Sequence, residues 1–359
     1  MKKLILTCNA GSNNTKLAAF DAQTLEQVDH AAAYNADDAI TWFKGHAHVV
    51  AVGHRVVHGG REFTRPERIT GAVVEKLTAL IPLAPLHQPA ALKLIDAAQK
   101  LYPDIAHIAC FDTAFHHTMP DINRRLPLPR KYHDEGLLRY GFHGLSYQHI
   151  ADVLPEHAPD IAKGRVIVAH LGGGASACAM KGLRSIDSTM GFSTLDGLMM
   201  GTRCGALDPG VLLYLLETDG VSLPSLSDLL YHNAGLKGVS GISDDMRELL
   251  HSKTESAKEA KEAIELYCAL AAKQIAGLIP SIGGLDALIF TGGIGEHAEI
   301  IREKITARLH WIGAFGVCVI PTDEELVMAQ ACKTIHKHKG GDKAATSRWI
   351  NEGGHAKGK

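Results

Sequence analysis

The sequence predicts an α/β chain of two similar halves, each with a mixed sheet and helices on its faces. Three observations predict it. Short apolar runs rich in β-branched residues alternate with stretches of helical spacing along the whole chain. A plan of apolar strand, glycine turn and returning strand occurs twice, in Leu4 to Phe20 (LILTCNAGSNNTKLAAF) and again from Arg165 to Met180 (RVIVAHLGGGASACAM). A third glycine turn follows the apolar run Ala287 to Thr291 and leads into a helix.

The elements follow in order. Leu4 onward is a strand that meets a small polar loop around Gly11 and Ser12 and returns. His48 to Gly60, HVVAVGHRVVHGG, is a strand ending in polar groups and a Gly-Gly turn. A helix runs from about Ala72 to Leu80, a rigid loop over Pro82 to Ala90 (PLAPLHQPA), and a helix over Ala91 to Leu101. Ile105 to His116 is a strand ending at Phe111-Asp112-Thr113, and Pro120 to Gly136, rich in proline and arginine, is expected to be irregular. Arg139 to Leu154 opens a helix after a glycine-flanked turn, and the second half begins near Arg165. There, Val166 to Ala169 has the composition of a strand buried on both faces. Asp208-Pro209-Gly210 starts a helix, Ser225 to His232 is another, and Ser243 to Leu250 a third. Glu255 to Ile279 keeps helical spacing with no glycine before Gly277, so it reads as one long helix. A last helix begins near Asp323, followed by a Lys/Gly-rich end expected to fray.

Composition sets limits. A chain of 359 residues holds two domains with full cores. Apolar content of 46% and charged content of 21% are ordinary for a globular protein. A formal net charge of −2 supplies no basic field for nucleic acid or an anionic membrane. No apolar run is expected to span a bilayer, and MKKLILTCNAG lacks a small-residue cleavage site. Seven scattered cysteines form no C-x-x-C pair, which fits a reducing cytoplasm and argues against a disulfide framework or a zinc site.

Glycine turns bring backbone N–H groups close to an anion, most often a phosphate, although a bare hairpin explains three glycines equally well. No G-x-x-x-x-G-K-[ST] occurs, which excludes a P-loop. Gly293-x-Gly295-x-x-Ala298 fits a relaxed dinucleotide fingerprint, but no acidic residue follows where a ribose contact needs one. Glycine loops around Gly11, Gly173 and Gly293 together suit a polyphosphate held by two similar halves. Arg55 and Arg203 end apolar segments, and arginine's fork suits a carboxylate or a transferring phosphoryl group. Asp112 follows a buried strand, where a carboxylate at the strand's carboxyl end meets ligands. The bland readings are a surface arginine and a turn-capping aspartate.

Ten stretches in order now carry a resemblance: NAGSNNTK, GHRVVHGG, PLAPLHQPA, FDTAFHHTMP, RYGFHGLS, HLGGGAS, MGTRCGALDPG, GISDDMRE, FTGGIGEHA and IPTDEEL. With them the chain resembles the acetate and propionate kinase family, over nearly its whole length. The resemblance implies two actin-like (ribonuclease H-like) domains with mixed sheets and a nucleotide cleft between them. These would be residues 1–148, completed by a C-terminal helix over about 325–359, and residues 149–324, which bind the nucleotide. It implies Arg55, with Val57, Leu86 and Phe142, around a short carboxylate, and Asp112, Arg203 and His143 at the reaction. It implies Asn9 and Glu324 at Mg²⁺, for which Mn²⁺ can substitute. Nucleotide contacts would come from Lys16; from His170, Leu171, Gly172, Gly173 and Gly174; from Asp245, Met246 and Arg247; and from Gly293, Ile294, Gly295, Glu296 and His297. Adenosine would lie against Met246 and the Gly292-Gly293 turn.

The chain departs from the family pattern at five places. Gly173, Gln88 and His297 stand where Asn is usual, Thr194 stands where Pro is common, and the span from Asp21 to Val49 is shorter. The expected activity is reversible Mg-dependent phosphoryl transfer from ATP to acetate, giving acetyl phosphate and ADP, in a cytoplasmic homodimer without nucleic-acid or membrane partners. Propionate or another short acid is the alternative substrate. An actin-like ATPase acting as a conformational switch is the alternative of another class, and it has no need of a carboxylate clamp beside an apolar pocket. A short carboxylic acid has a pKa of about 4, so its carboxylate is already the nucleophile at neutral pH. Asp112 is therefore expected on the metal or water side and not as a general base.

Overall fold

The computed structural model describes residues 2–11, 14–252 and 257–336. Ser12 of the first loop, Glu255 at the expected start of the long helix, and the expected C-terminal stretch beyond His336 lie outside the described residues. The chain divides into two units. The first holds residues up to His117, Phe142–His157 and the described residues from Thr322; the second holds Thr118–Gly141 and Ala158–Pro321.

In the first unit, strands β1 (Leu4–Ala10), β2 (Thr15–Asp21), β3 (Gln27–Ala33), β4 (Val49–Val56), β5 (Glu67–Arg68) and β6 (Ala106–Phe111) form one mixed sheet in the order β3-β2-β1-β4-β6-β5. The hairpin β1–β2 is antiparallel, while β1, β4 and β6 run parallel. These three central strands are almost entirely buried, which is why they read as continuous apolar runs. One face packs Ile5, Phe20, Ala51, Ile108 and Cys110 against Val327, Met328 and Cys332 of the helix Glu324–His336. The other packs Leu6, Leu17 and Val52 against Ala39 and Phe43 of helix Ala36–Lys44 and Leu94 and Ala98 of helix Gln88–Leu101.

In the second unit, β7 (Arg165–Leu171), β8 (Ala175–Lys181), β9 (Arg184–Ser188), β10 (Ala287–Thr291) and β11 (Gly316–Val319) form a sheet in the order β11-β10-β7-β8-β9. Strands β7–β8 and β8–β9 pair antiparallel, and β7, β10 and β11 run parallel. Order and polarity thus repeat the first sheet strand for strand: β7 stands for β1, β8 for β2, β9 for β3, β10 for β4 and β11 for β6. The recurring strand–turn–strand of the sequence is the sign of that duplication.

Several expectations need correction. The stretch from Pro120 to Gly136 is not irregular: it holds two short helices, Asp121–Arg124 and Arg130–Asp134, each entered from a proline that cannot donate a backbone hydrogen bond. The rigid loop is shorter than expected, because a 3₁₀ turn covers Ile81–Leu83 and the next helix already starts at Gln88 with Pro89 in its first turn. The helix expected over Ser243 to Leu250 begins at Met246, capped by Asp245, whose side chain accepts from Arg247 N. The long helix is Ala257–Ile282, and its length and mean hydropathy of 1.2 over 18 residues do suffice to cross a membrane. Its buried residues recur at helical spacing, Ala260, Ile264, Tyr267, Ala271, Ile275 and Leu278 among them, as in the core helix of a globular unit.

Candidate active site

In the first unit the expected residues gather at the carboxyl ends of the three parallel strands. Asn9 lies near the end of β1, Arg55 near the end of β4, and Asp112 directly after β6. Parallel strands carry their exposed polar ends on one edge, so neighbours in space come from distant parts of the chain. Arg55 Nε donates to both Asp112 carboxylate oxygens at 3.0 Å, and Nη2 donates to Oδ2 at 2.6 Å. Arg55 Nη1 donates to Asn9 Oδ1 at 2.9 Å. Asn9 Nδ2 in turn donates to Glu324 Oε2 and Glu325 Oε1, both at 2.7 Å. Arg55 Nη1 also stands 3.8 Å from Glu324 Oε2.

Two cations face three carboxylates here. Lys16, opposite Asn9 in the hairpin register, acts on Glu325 together with Asn9. Burial pushes the Glu325 carboxyl up, and Lys16 pulls it partly back. Burial likewise pushes Asp112, only 1% exposed, up to about 6 against the pull of Arg55. Burial works against the Arg55 charge, yet Asp112 and Glu324 outweigh it and hold the guanidinium above its ordinary value. Among the described residues no three His, Cys, Asp or Glu side chains converge as a metal cage. Even so, a surplus of hard oxygen donors over cations is the chemistry of an Mg²⁺ site, since Mg²⁺ takes one or two carboxylates and keeps most of its water.

His143 belongs to the same cluster through the backbone. Gly144 N donates to the Asp112 carbonyl at 2.8 Å, which hangs the Gly141–Gly144 turn on the end of β6. His143 takes a left-handed backbone with φ of 56°, unusual for a residue with a side chain, and is 9% exposed. Val57 and Phe142 are buried, and the Phe142 ring meets the His58 ring edge-on at 5.6 Å. Leu86 is 45% exposed on the turn before helix Gln88–Leu101. Gln88 is buried, and its Nε2 donates to the carbonyls of His58 and Leu77, each at 3.3 Å.

The second unit brings another set together. The glycines Gly172 to Gly174 do form a hairpin turn between β7 and β8, with Gly172 N donating to Gly174 O at 3.0 Å. They also face the turn after β10. A Cβ at Gly172 would lie 3.9 Å from both Gly293 N and His170 Nε2. Gly292 has φ of 77°, and a Cβ there would stand 2.8 Å from Leu171 O, so only glycine lets the two loops touch. Glu296 Oε1 accepts from Gly292 N at 2.8 Å and fixes the turn, while His297 and Gly293 are exposed. Leu171 is buried, Ile294 is half-buried, and Gly295 packs under the turn.

Gly201 N donates to Gly173 O at 3.4 Å, which joins the Met200–Arg203 turn to the same loop. Arg203 is buried, with Nη1 donating to Thr194 O at 2.8 Å. Asp245 and Arg247 pair with each other, Nη2 to Oδ2 at 2.5 Å, and that hydrogen bond holds Asp245 below the usual carboxylate range. Met246 is buried, at 2% exposure. Sequence reasoning missed Glu325 as a partner of Asn9. The one available signal was its place beside Glu324 in the first turn of a helix.

A family model described as the acetokinase family matches residues 7–315. The chain belongs to the acetokinase family. An acetate kinase of Rhodopseudomonas palustris (strain TIE-1) is 44% identical over 92% of this chain and 98% of its own. An acetate kinase of Rickettsia typhi (strain Wilmington) is 39% identical with the same coverage. Among solved structures, an acetate kinase of Porphyromonas gingivalis is 32% identical, with a TM-score of 0.83 over 93% of this chain and 99% of that one. A propionate kinase of Francisella tularensis is 33% identical, with a TM-score of 0.84 over 92% and 98%. The two mixed sheets are therefore those of the two-domain actin-like fold, and the chain is a phosphotransferase whose acceptor is a carboxyl group.

Proposed function

We propose that this kinase makes acetyl phosphate and ADP from acetate and ATP, reversibly, with the residues grouped above in separate roles. The observation that carries the assignment of roles is the Asn9–Arg55–Asp112–Glu324 cluster at the ends of β1, β4 and β6. Arg55 is the one arginine in it; its Nε–Nη2 edge grips Asp112, and the donors left on its Nη atoms suit a substrate carboxylate. Substrate carboxylate binds at Arg55 beside Val57 and Phe142, with Leu86 at the open side. Asp112 holds the guanidinium in place through both of its oxygens.

Asn9, Glu324 and Glu325 would hold Mg²⁺, for which Mn²⁺ could substitute. When bound, the metal neutralises charge on the nucleotide phosphates. The nucleotide takes its contacts from Lys16, from His170 to Gly174, from Asp245 to Arg247 and from Gly293 to His297. The facing backbones of Gly172 and Gly293 support the phosphate part of that assignment. Arg203 and His143 donate to the transferring phosphoryl oxygens. Positioning and charge neutralisation supply most of the catalysis, since a carboxylate nucleophile has no proton to lose.

Propionate is the second reading, favoured by the resemblance to the Francisella propionate kinase. One methylene changes discrimination by only about 1–3 kcal/mol. A homodimer is supported by exposed apolar side chains such as Leu213, Tyr214 and Leu223 on helices Pro209–Glu217 and Leu223–His232. A cytoplasmic setting is supported by seven free cysteines, and the net charge of −2 offers little to a nucleic acid. The test is acyl-hydroxamate formation with ATP, Mg²⁺ and a series of acids of one to four carbons. Acetate should give product with the highest kcat/KM. ATP hydrolysis without product from any acid would replace the kinase with a nucleotide-driven switch.

A further inference from the structure

We infer that His116 is a positioning residue for the reaction, holding the left-handed turn that presents His143. The inference rests on the reading of His143 as a group that meets the phosphoryl oxygens. His116 stands in the short 3₁₀ segment Ala114–Thr118 just past Asp112, and it is buried. Its Nε2 lies 2.9 Å from the Phe142 carbonyl oxygen, so Nε2 carries the proton and donates it. The ring is fixed on two sides, edge-on to Tyr147 at 5.6 Å and edge-on to Phe115 at 5.8 Å.

His143 follows Phe142 directly and has φ of 56°. A side-chain-bearing residue in that region is strained and persists only where its surroundings over-determine it. Three hydrogen bonds do so here. His116 fixes the carbonyl before His143, Tyr147 N donates to the His143 carbonyl at 3.1 Å, and Gly144 N donates to the Asp112 carbonyl at 2.8 Å. The second is the first hydrogen bond of a helix and the third ties backbone to backbone. Only the first comes from a side chain, and it acts on the peptide whose rotation sets φ of His143. Without it that peptide loses its one side-chain restraint among the three, and His143 relaxes toward an ordinary backbone that re-aims its imidazole.

The prediction is specific for a donor at Nε2. Gln at 116 places an amide nitrogen near the same point, Asn ends short of it, and Leu has none. His116→Gln should keep kcat for acetyl-hydroxamate formation within about threefold of the parent. His116→Leu should lower kcat at least tenfold while the KM for ATP and the KM for acetate move less than threefold. If the Leu variant does not fold, His116→Asn takes its place with the same expectation. Parent kcat in a folded Leu or Asn variant overturns the inference, as does a Gln variant that falls as far as Leu. A loss that appears equally in both KM values and in Tm marks a packing role only and also overturns it. His143→Ala is measured in parallel: if it keeps parent kcat, the reading of His143 itself fails. A His143 variant with reduced kcat beside an unaffected His116→Leu removes only the role of His116.

Discussion

Replacing Gly144 by alanine tests whether the end of β6 and the turn that follows it act as one piece. A Cβ at 144 would lie 2.2 Å from the Asp112 carbonyl oxygen, 3.0 Å from the Asp112 carbonyl carbon and 3.0 Å from Phe115 Cβ. Carbon contacts are comfortable at about 3.5–4.0 Å, so the shortfall at the oxygen exceeds an ångström. The obstacle is backbone, and it is pinned in turn by the hydrogen bond from Asp112 N to Val56 O at 3.1 Å. No side chain can rotate out of the way. The turn must retreat, break the Gly144–Asp112 hydrogen bond and take His143 with it. Overpacking of this kind costs about 1–3 kcal/mol, which lowers Tm moderately. On the role proposed for His143, a misplacement on the order of 1 Å costs about 10²-fold in rate. Gly144→Ala should therefore lose kcat by about two orders of magnitude while most of the protein remains folded at assay temperature. Hydroxamate assays and thermal unfolding measure both quantities. Gly71→Ala, where nothing lies within 4 Å of the added Cβ, is the matched control. A Gly144→Ala protein with lowered Tm but parent kcat would refute the coupling of turn and site.

Arg55→Lys keeps a charge beside Asp112 but loses the fork, so the KM for acetate should rise about tenfold or more with a smaller change in kcat. Arg203→Lys should do the opposite, and identical kinetic profiles would merge the two roles. Gly277 lies exposed inside helix Ala257–Ile282 with nothing near its missing Cβ, so Gly277→Ala should stabilise by about 0.5–1 kcal/mol, read as a raised denaturation midpoint. His54 and His107, hydrogen-bonded ring to ring at 3.0 Å, and His58 are all held below their ordinary value by burial, His58 down to about 4. The unfolded chain binds protons at these rings from about pH 6.5 downward while the folded one refuses them. Their contribution to stability is thus complete above about 6.5 and is lost as pH falls below it, by up to about 1.4 kcal/mol per pH unit for each ring. Urea midpoints measured from pH 8 to pH 4.5 should fall below 6.5, and His58→Leu should flatten part of that slope.

The hairpins β1–β2 and β7–β8 were legible because their glycine turns interrupt apolar runs that nothing else explains. Asp112 and Arg55 were legible singly, as polar residues ending buried strands. Their mutual pairing was not, and neither was the junction of Asn9 with Glu324 and Glu325, since those partners stand 315 and 316 residues apart. Only the closure of helix Glu324–His336 onto the first sheet unites them. Prolines misled in the other direction. Pro120 and Pro129 precede helices and Pro89 lies within the first turn of one, positions where a missing N–H costs nothing. Strand β3 escaped notice because its residues are mostly exposed and show no apolar period. The left-handed His143 could not be inferred at all, since histidine has no intrinsic preference strong enough to announce it.

The helix Glu324–His336 also bears on how the chain is made. It forms one wall of the first core through Val327, Met328 and Cys332, yet it is synthesised after the whole of the second unit. On a ribosome moving at about 5–20 residues per second, strands β1 to β6 wait roughly 10 s or longer for that wall. During the wait the apolar face bearing Ile5, Phe20 and Ile108 is open to holdase chaperones or to neighbouring nascent chains. The second unit carries all of its strands within one stretch and can be finished earlier. Completion therefore reverses the order of synthesis: the unit whose strands are made first is the last to be finished.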